Sequence, residues 1–314
     1  MRLCLMIEGQ EDVTWDQWLD IARACEDSGL EGLFRSDHYL SVMGRSARGS
    51  LDAWTTLAGL AAVTERIKLG TLVSPATFRH PSVVAKSAVT VDHISNGRVE
   101  LGLGAGWLRA EHEAYGFPFP DTRTRMDVFG EQLEIVHRSW TEEGFDLSGR
   151  HYEISGLNAL PKPVQRTHPN LIVGGSGGPR STSLAARWAD EYNTVHPNIE
   201  DCVRRRAAVA AACERAGREM LTFSVMTGCV VGTDQAEVER RAQAVMGVSG
   251  IGGSAREWLE SVAGEWVVGT VDQVVERLGE LGEAGVERVM LQHLAHSDTD
   301  VIRLLGEEVA TAVA

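Results

Sequence analysis

The 314-residue sequence predicts an α/β fold, a (β/α)8 barrel with insertions, as one domain over residues 1–314. Three observations carry this reading. Short apolar runs alternate with helix-spaced apolar patterns almost throughout, which argues for parallel strands joined by helical crossovers. Eight such runs are present. Polar or glycine-rich residues follow nearly every run, at the end of the strands where a barrel of this type gathers its working groups.

Residues 2–7 are apolar and short, and read as a buried first strand rather than a secretory signal. Thr14 caps a helix whose Trp18, Ile21, Ala22 and Cys25 are helix-spaced, and Gly29 ends it. Leu30–Arg35 is the second strand, and Leu51–Thr64 a helix with Trp54, Leu57, Ala58 and Ala61 on one face. Ile67–Val73 is the third strand, Pro81 opens a helix reaching His93, and Arg98–Leu103 is the fourth strand. A long amphipathic helix follows Arg125 and ends near Trp140. Residues 143–169 break the rhythm with a hairpin, Phe145–Leu147 and His151–Ile154, and with the turn-rich Pro161-Lys162-Pro163, so the stretch reads as an insertion. Leu171–Val173 and Glu191–Val195 are strands five and six, separated by the helix Ser181–Trp188. Ile199–Ala216 is an arginine-rich surface helix, Thr222–Val231 strand seven, and Asp234–Met246 a helix. Residues 247–268 open on Gly-Val-Ser-Gly-Ile-Gly-Gly and read as a second irregular insertion and a candidate lid. The helix Val271–Ala284, the strand Val286–Leu291 and the helix Asp298–Val313 complete the pattern.

Composition narrows the partners. The net charge of −14 disfavours nucleic acid and anionic membranes, which reward a basic surface. No run of about 18 apolar residues is present, so no membrane span is expected, and the chain is expected in the cytoplasm. The five cysteines include no C-x-x-C pair and read as free thiols in a reducing compartment. No His/Cys/carboxylate cluster has ligand spacing, so no metal site is expected.

The residues past each strand are the candidates for chemistry. Asp37-His38 follows strand two: a histidine exchanges a proton near neutrality, and a neighbouring carboxylate can orient it or bias its charge. Gly174-Gly175-Ser176-Gly177-Gly178 followed by Pro179 joins a strand directly to a helix, a phosphate-binding arrangement of free amides and helix dipole. Gly104-Ala105-Gly106-Trp107 follows strand four, where glycines allow close approach to a flat ring and the tryptophan can wall it. Glu8, Glu111, His112, His196 and His293 complete a candidate substrate-binding set around the mouth. No G-x-S-x-G elbow is present, which weighs against a hydrolase.

Several segments together resemble the luciferase-like monooxygenase superfamily, and within it the branch of oxidoreductases dependent on coenzyme F420. They are Ser36-Asp37-His38, Leu51–Ala58, Arg66–Val73, Phe78-Arg79-His80-Pro81, Asp92–Arg98, Leu101–Trp107 with Glu111–Gly116, and Gly269-Thr270. The resemblance implies a barrel with a cofactor lying across the strand ends and hydride transfer to or from a small organic substrate. It implies His38 as the proton donor or relay with Asp37 orienting it, and a non-proline cis peptide at Leu72–Val73. Gly104–Gly106 would meet the cofactor's ribityl chain, and Gly177, Gly178 and Pro179 its phosphate. Arg79, His80, Lys86 and Arg180 are candidates for a glutamate tail on F420, and a homodimer is implied. The chain departs from the sugar-phosphate-oxidising members in carrying Trp107 where they have a glutamate, and in having no lysine beyond Lys162. Two alternatives stand beside F420 chemistry: a two-component monooxygenase using FMN and oxygen, and a flavin-binding barrel without turnover.

Overall fold

Alternation along a strand decides which side chains fill the centre of a barrel and which meet its helices. The structure is a computed structural model that describes residues 1–45 and 47–314. Its strands are Arg2–Ile7 (β1), Gly32–Arg35 (β2), Lys68–Pro75 (β3), Val99–Gly104 (β4), Phe145–Ser148 (β5), Glu153–Leu157 (β6), Asn170–Gly174 (β7), Glu191–Val195 (β8), Thr222–Gly232 (β9), Val267–Thr270 (β10) and Arg288–Gln292 (β11). Among the described residues, eight of these close into a parallel barrel in the order β9-β11-β1-β2-β3-β4-β7-β8, with β8 pairing back to β9.

The helices are Trp15–Ser28 (α1), Ala53–Ala61 (α2), Pro81–Ser95 (α3), Arg109–Tyr115 (α4), Thr122–Thr141 (α5), Pro179–Trp188 (α6), Ile199–Ala216 (α7), Gln235–Ser249 (α8), Ala255–Val262 (α9) and Val271–Glu283 (α10). The chain closes with Asp300–Leu304 (α11), a π-helical turn over Leu305–Val309, and Ala310–Ala312 (α12). Local chemistry sets several boundaries. Thr14 and Gln17 form a reciprocal capping box on α1, and Gly29 ends that helix in the left-handed region at φ 87°. Asp121, Asn198 and Asp234 cap α5, α7 and α8 through their side chains. No helix among the described residues is long and apolar enough to cross a membrane. The five cysteines are buried and free.

Alternation sorts the strand residues into two sets. Leu3, Leu5 and Ile7 join the large apolar layer between strands and helices, whereas Cys4, Met6, Phe34, Leu72, Ile172, Met226 and Met290 pack together inside the barrel. At the N-terminal end of the strands the interior is polar but paired. Arg288 donates to Glu100 at 2.6 Å, to Glu191 at 2.9 Å and to Glu31 at 2.7 Å. Asn170 bridges Glu100 and Glu191 at 2.9 and 3.1 Å.

Two stretches differ from expectation. Residues 247–268 are not a single irregular insertion: α8 runs to Ser249, α9 follows, and β10 pairs with the last residues of β9 from Val267↔Cys229 to Thr270↔Gly232. The glycines around them, and the shortness of both elements, hide the periodicity. Arg109–Tyr115, read as loop, is the short helix α4. The expected insertion at 143–169 does hold the β5–β6 hairpin, which lies outside the barrel as a separate two-stranded sheet.

Candidate active site

Strand β2 delivers Asp37 and His38 to different places, since adjacent residues of an extended chain point opposite ways. Asp37 is 1% exposed and turned into the loop after β3. It accepts a hydrogen bond from Ser74 Oγ, pairs with Arg79, and lies beside Trp54, whose Nε1 donates to Ser74 at 3.2 Å. Arg79 also pairs with Asp52 at 2.6 Å and donates to Tyr39 at 2.8 Å. Asp37 is therefore a partner of Arg79 and does not orient His38.

Glu111 does. Its Oε2 lies 2.8 Å from His38 Nδ1, and its Oε1 accepts the backbone N–H groups of Tyr39 and of Leu40, the latter at 3.0 Å. The carboxylate thus fixes both the imidazole and the loop that carries it. Burial alone would lower the His38 pKa, but the hydrogen bond and charge of Glu111 outweigh it and the net shift is upward. Burial would raise the Glu111 pKa, and His38 with the two backbone donors reverses that to a lowered value. Trp107 is 63% exposed and meets the His38 ring edge-on at 5.6 Å. His112, next to Glu111, is 1% exposed and locked between Thr77 Oγ1 at 2.6 Å and the Leu108 carbonyl at 2.7 Å. It supports the loop and does not face the mouth.

The glycines of β4 and β7 have a reason that the sequence does not announce. The Leu72–Val73 peptide is cis, and the Val73 side chain lies against β4 and, one strand further on, β7. A Cβ on Gly102, Gly104 or Gly174 would fall 3.0, 2.8 or 3.1 Å from a Val73 methyl. Gly104 and Gly174 make room for Val73, and Gly102 for Val73 and, more tightly, the Thr71 carbonyl, while Leu72 stays in the inner apolar cluster. Gly106 takes φ 78°, in the left-handed region, and its backbone packs against Thr77. Ala105 packs against the apolar layer.

The loop before α6 has the form of an anion cradle. Gly178 is the N-cap, no side chain caps it, and Pro179 opens the helix, so the first-turn amides of Arg180 and Ser181 are left without helical partners. Not every amide of the run is free: Gly175 N–H donates to the Asn193 carbonyl at 2.9 Å, and Gly177 N–H to Tyr192 Oη at 2.8 Å. Ser176 is exposed between them. Gly177 takes φ 81°, and a Cβ there would lie 3.0 Å from Arg205 Cγ. The stem of Arg205, on α7, packs against this loop while its guanidinium binds Thr194 and Asp201, a placement that sequence reasoning missed within a run of three arginines. Of the candidates for a glutamate tail, Arg79 is committed to Asp37 and Asp52, Arg180 pairs with Asp127, Lys86 donates to the Leu160 carbonyl, and His80 caps α3.

The opposite side of the mouth is built from β8, β9, β10 and β11. His196, at φ 42°, stacks on Trp266 with ring centroids 5.9 Å apart, and Trp258 meets Trp266 edge-on at 5.4 Å. Burial lowers the His196 pKa and pushes that of His293 down to about 4, so both are neutral imidazoles. Glu8 lies at the end of β1 between this side and His38, bonded to Gln10 and Gln292.

The closed parallel barrel with polar strand-end loops and a free helix N-terminus at its mouth defines a (β/α)8 barrel. The luciferase-like monooxygenase family matches residues 4–288, and the chain belongs to that family. An uncharacterised Mycobacterium tuberculosis protein is 35% identical over 170 residues, 54% of this chain and 59% of that protein. The chain thus spans about three-fifths of the length of that relative. The FMNH2-dependent dimethylsulfone monooxygenase of Pseudomonas putida is 25% identical over 94% of this chain and 90% of its own. The F420-dependent glucose-6-phosphate dehydrogenase of Microbacterium testaceum is 26% identical over 94% and 92%. In fold, a monooxygenase from Streptomyces bottropensis superposes with TM-score 0.85 over the full length of both chains at 24% identity.

Proposed function

We infer that this chain is an oxidoreductase that uses the deazaflavin coenzyme F420 to move a hydride to or from a small organic substrate at the barrel mouth. The observation that carries the reading is the His38–Glu111 pair, 2.8 Å apart, at the strand ends. Glu111 holds Nδ1, which leaves Nε2 as the atom that gives a proton to the substrate or takes one from it. The site fits such a cofactor: an uncapped helix N-terminus suits its phosphate, and glycines on β4 and β7 let Val73 project where a flat ring needs a firm support. The residues that would hold it are Leu72, Val73, Gly104, Ala105, Gly106 and Trp107, with Gly174, Gly175, Ser176, Gly177, Gly178 and Pro179 at the phosphate. When bound, the deazaflavin supplies the carbon that carries the hydride. The chain binds and orients the substrate, excludes water and manages the proton.

A second reading, an FMN-dependent monooxygenase, is favoured by the Pseudomonas putida relative, which is matched over 94% of this chain. Fluorescence titration of the full chain with F420 and, separately, with FMN tests both. Tight F420 binding with weak FMN binding supports the first reading, and the reverse preference moves the assignment to oxygen-consuming chemistry. Binding of neither overturns the account of the glycine loops. A barrel that binds without turnover would show His38→Ala altering affinity alone.

A further inference from the structure

Glu8 stands apart from the other carboxylates around the mouth. It follows Cys4 and Met6 on the inner side of the barrel and is 6% exposed. Oε1 accepts from Gln292 Nε2 at 2.6 Å and Oε2 from Gln10 Nε2 at 2.7 Å. Both donors are neutral amides, and among the described residues no ion pair reaches this carboxylate. Its neighbours on these loops are compensated: Asp37 and Asp52 by Arg79, Glu11 by Arg48, Glu111 by His38. Withdrawing a charge from water is costly unless an opposite charge meets it, so an unpaired buried carboxylate calls for a reason.

Among the described residues no cation forms an ion pair with Glu8, although Arg35 and His38 lie within its electrostatic reach. Arg48 is tied to Glu11 and to the Val248 carbonyl, Arg79 to its two aspartates, and Arg35 to the carbonyls of Ser36 and Leu51. Arg45 lies against Gly250, at the end of α8. The three lysines are Lys68 at the start of β3, Lys86 on α3 and Lys162 in the insertion, none of them at a C-terminal strand end. His196 and His293 are neutral, and His196 Nδ1 and His293 Nε2 have no hydrogen-bond partner. The Glu8 charge is felt at both His38 and His196, so it sits within electrostatic reach of both sides of the mouth.

We propose that Glu8 anchors the substrate and selects its charge, and that the substrate is an uncharged or cationic organic molecule bearing an O–H or N–H group, not a phosphate, sulfonate or carboxylate. This rests on the reading that the mouth is the substrate site. Each Glu8 oxygen has spent one of its two lone-pair directions on an amide, so each retains one for a donor on the substrate. A site built around a buried acceptor strongly disfavours ligands that leave it unpaired, and an anion adds repulsion in a region of low dielectric.

The test uses three probes of one shape: cyclohexylammonium, cyclohexanol and cyclohexanecarboxylate. Their binding to the full chain, with and without F420, is read from the imidazole NMR signals of His38 and His196. Cyclohexylammonium should bind more tightly than the carboxylate by at least about tenfold, with the alcohol between them. In Glu8→Gln that ratio should collapse toward one while the circular dichroism spectrum is unchanged. A carboxylate that binds as well as the ammonium, a ratio that survives Glu8→Gln, or no binding by any probe would each overturn the proposal. The wild-type series decides the charge preference even if the variant does not fold. Failure of F420 and FMN to bind is a separate result, which sinks the cofactor reading and leaves the charge ratio standing.

Discussion

Replacing Glu111 with glutamine separates the two jobs of that side chain. The amide oxygen still accepts the Tyr39 and Leu40 N–H groups, so the loop stays clamped, but the charge beside His38 Nδ1 is gone. Unit charges about 4 Å apart at an effective dielectric of about 20 attract by roughly 4 kcal/mol, and about 1.4 kcal/mol moves a pKa by one pH unit. Opposite charges this close typically shift a pKa by about 1–3 pH units, and we expect that range here. Burial remains in the variant, so His38 should titrate below the ordinary histidine value of about 6.5, whereas in the wild type it titrates above it. NMR titration of the His38 imidazole, assigned by comparison with His38→Asn, measures both values. If His38 titrates at the wild-type pH in Glu111→Gln, the reasoning from Glu111 to His38 is refuted.

The same pair has a stability signature. The raised His38 pKa means that the folded state holds this proton more tightly. That contribution is complete below about pH 6.5 and is lost as pH rises through the raised value. The lowered Glu111 pKa sets the other limit: its contribution is present above about pH 4.3 and is lost as pH falls through the lowered value. Urea unfolding should therefore show Glu111→Gln costing most between those limits. Turnover should follow the same titration. Reduction of a substrate, which draws a proton from His38, should slow as pH rises through the raised value, and oxidation should speed up.

Other expectations follow from the geometry. Asp37→Asn removes the more deeply buried partner of Arg79 and should cost about 3–5 kcal/mol in urea unfolding, while lowering the His38 titration less than Glu111→Gln does. Arg288→Met leaves Glu100 and Glu191 facing one another unpaired and should cost a similar ~3–5 kcal/mol near neutral pH. Burial already raises the Glu191 pKa, so that loss should shrink in denaturant titrations as pH falls and the carboxyl takes up a proton. Gly104→Ala puts a methyl 2.8 Å from Val73 and should cost about 1–3 kcal/mol by overpacking, read as a lowered Tm together with weakened cofactor binding.

Much of the barrel could be read from the residues, because burial on two different periods leaves its mark on every long element. What escaped was short or masked by glycine. In α9 one turn of Trp258, Leu259 and Val262 is framed by glycines, and β10 offers two valines before Gly269. The site was harder for a different reason. Asp37 is adjacent to His38 in sequence, and adjacency suggested partnership, but an extended chain turns the two side chains apart. The partner, Glu111, lies 73 residues away on a helix that read as loop. The glycines of β4 and β7 attract attention as ligand contacts, yet Gly104 and Gly174 answer first to Val73, and Gly102 to the Thr71 carbonyl and then to Val73. Arg205 was hidden by its neighbours, since only the fold shows which of three consecutive arginines packs against Gly177.

The two ends of the barrel treat buried charge in opposite ways, and the same strands do both. At the N-terminal end, the carboxylates Glu31, Glu100 and Glu191 converge on Arg288, so that every charge has a direct partner. At the other end the inner face of β1 places Glu8, and that of β11 places Gln292, in a pairing that satisfies hydrogen bonds but not charge. A leucine at Glu8 would avoid burying a charge, and an arginine at Gln292 would pair it. The presence of neither leaves a buried carboxylate at the mouth without an ion pair. Glu111 favours the protonated form of His38 on one side, and Glu8 meets only neutral amides on the other. A substrate that carries a donor hydrogen completes that set, and an anion does not.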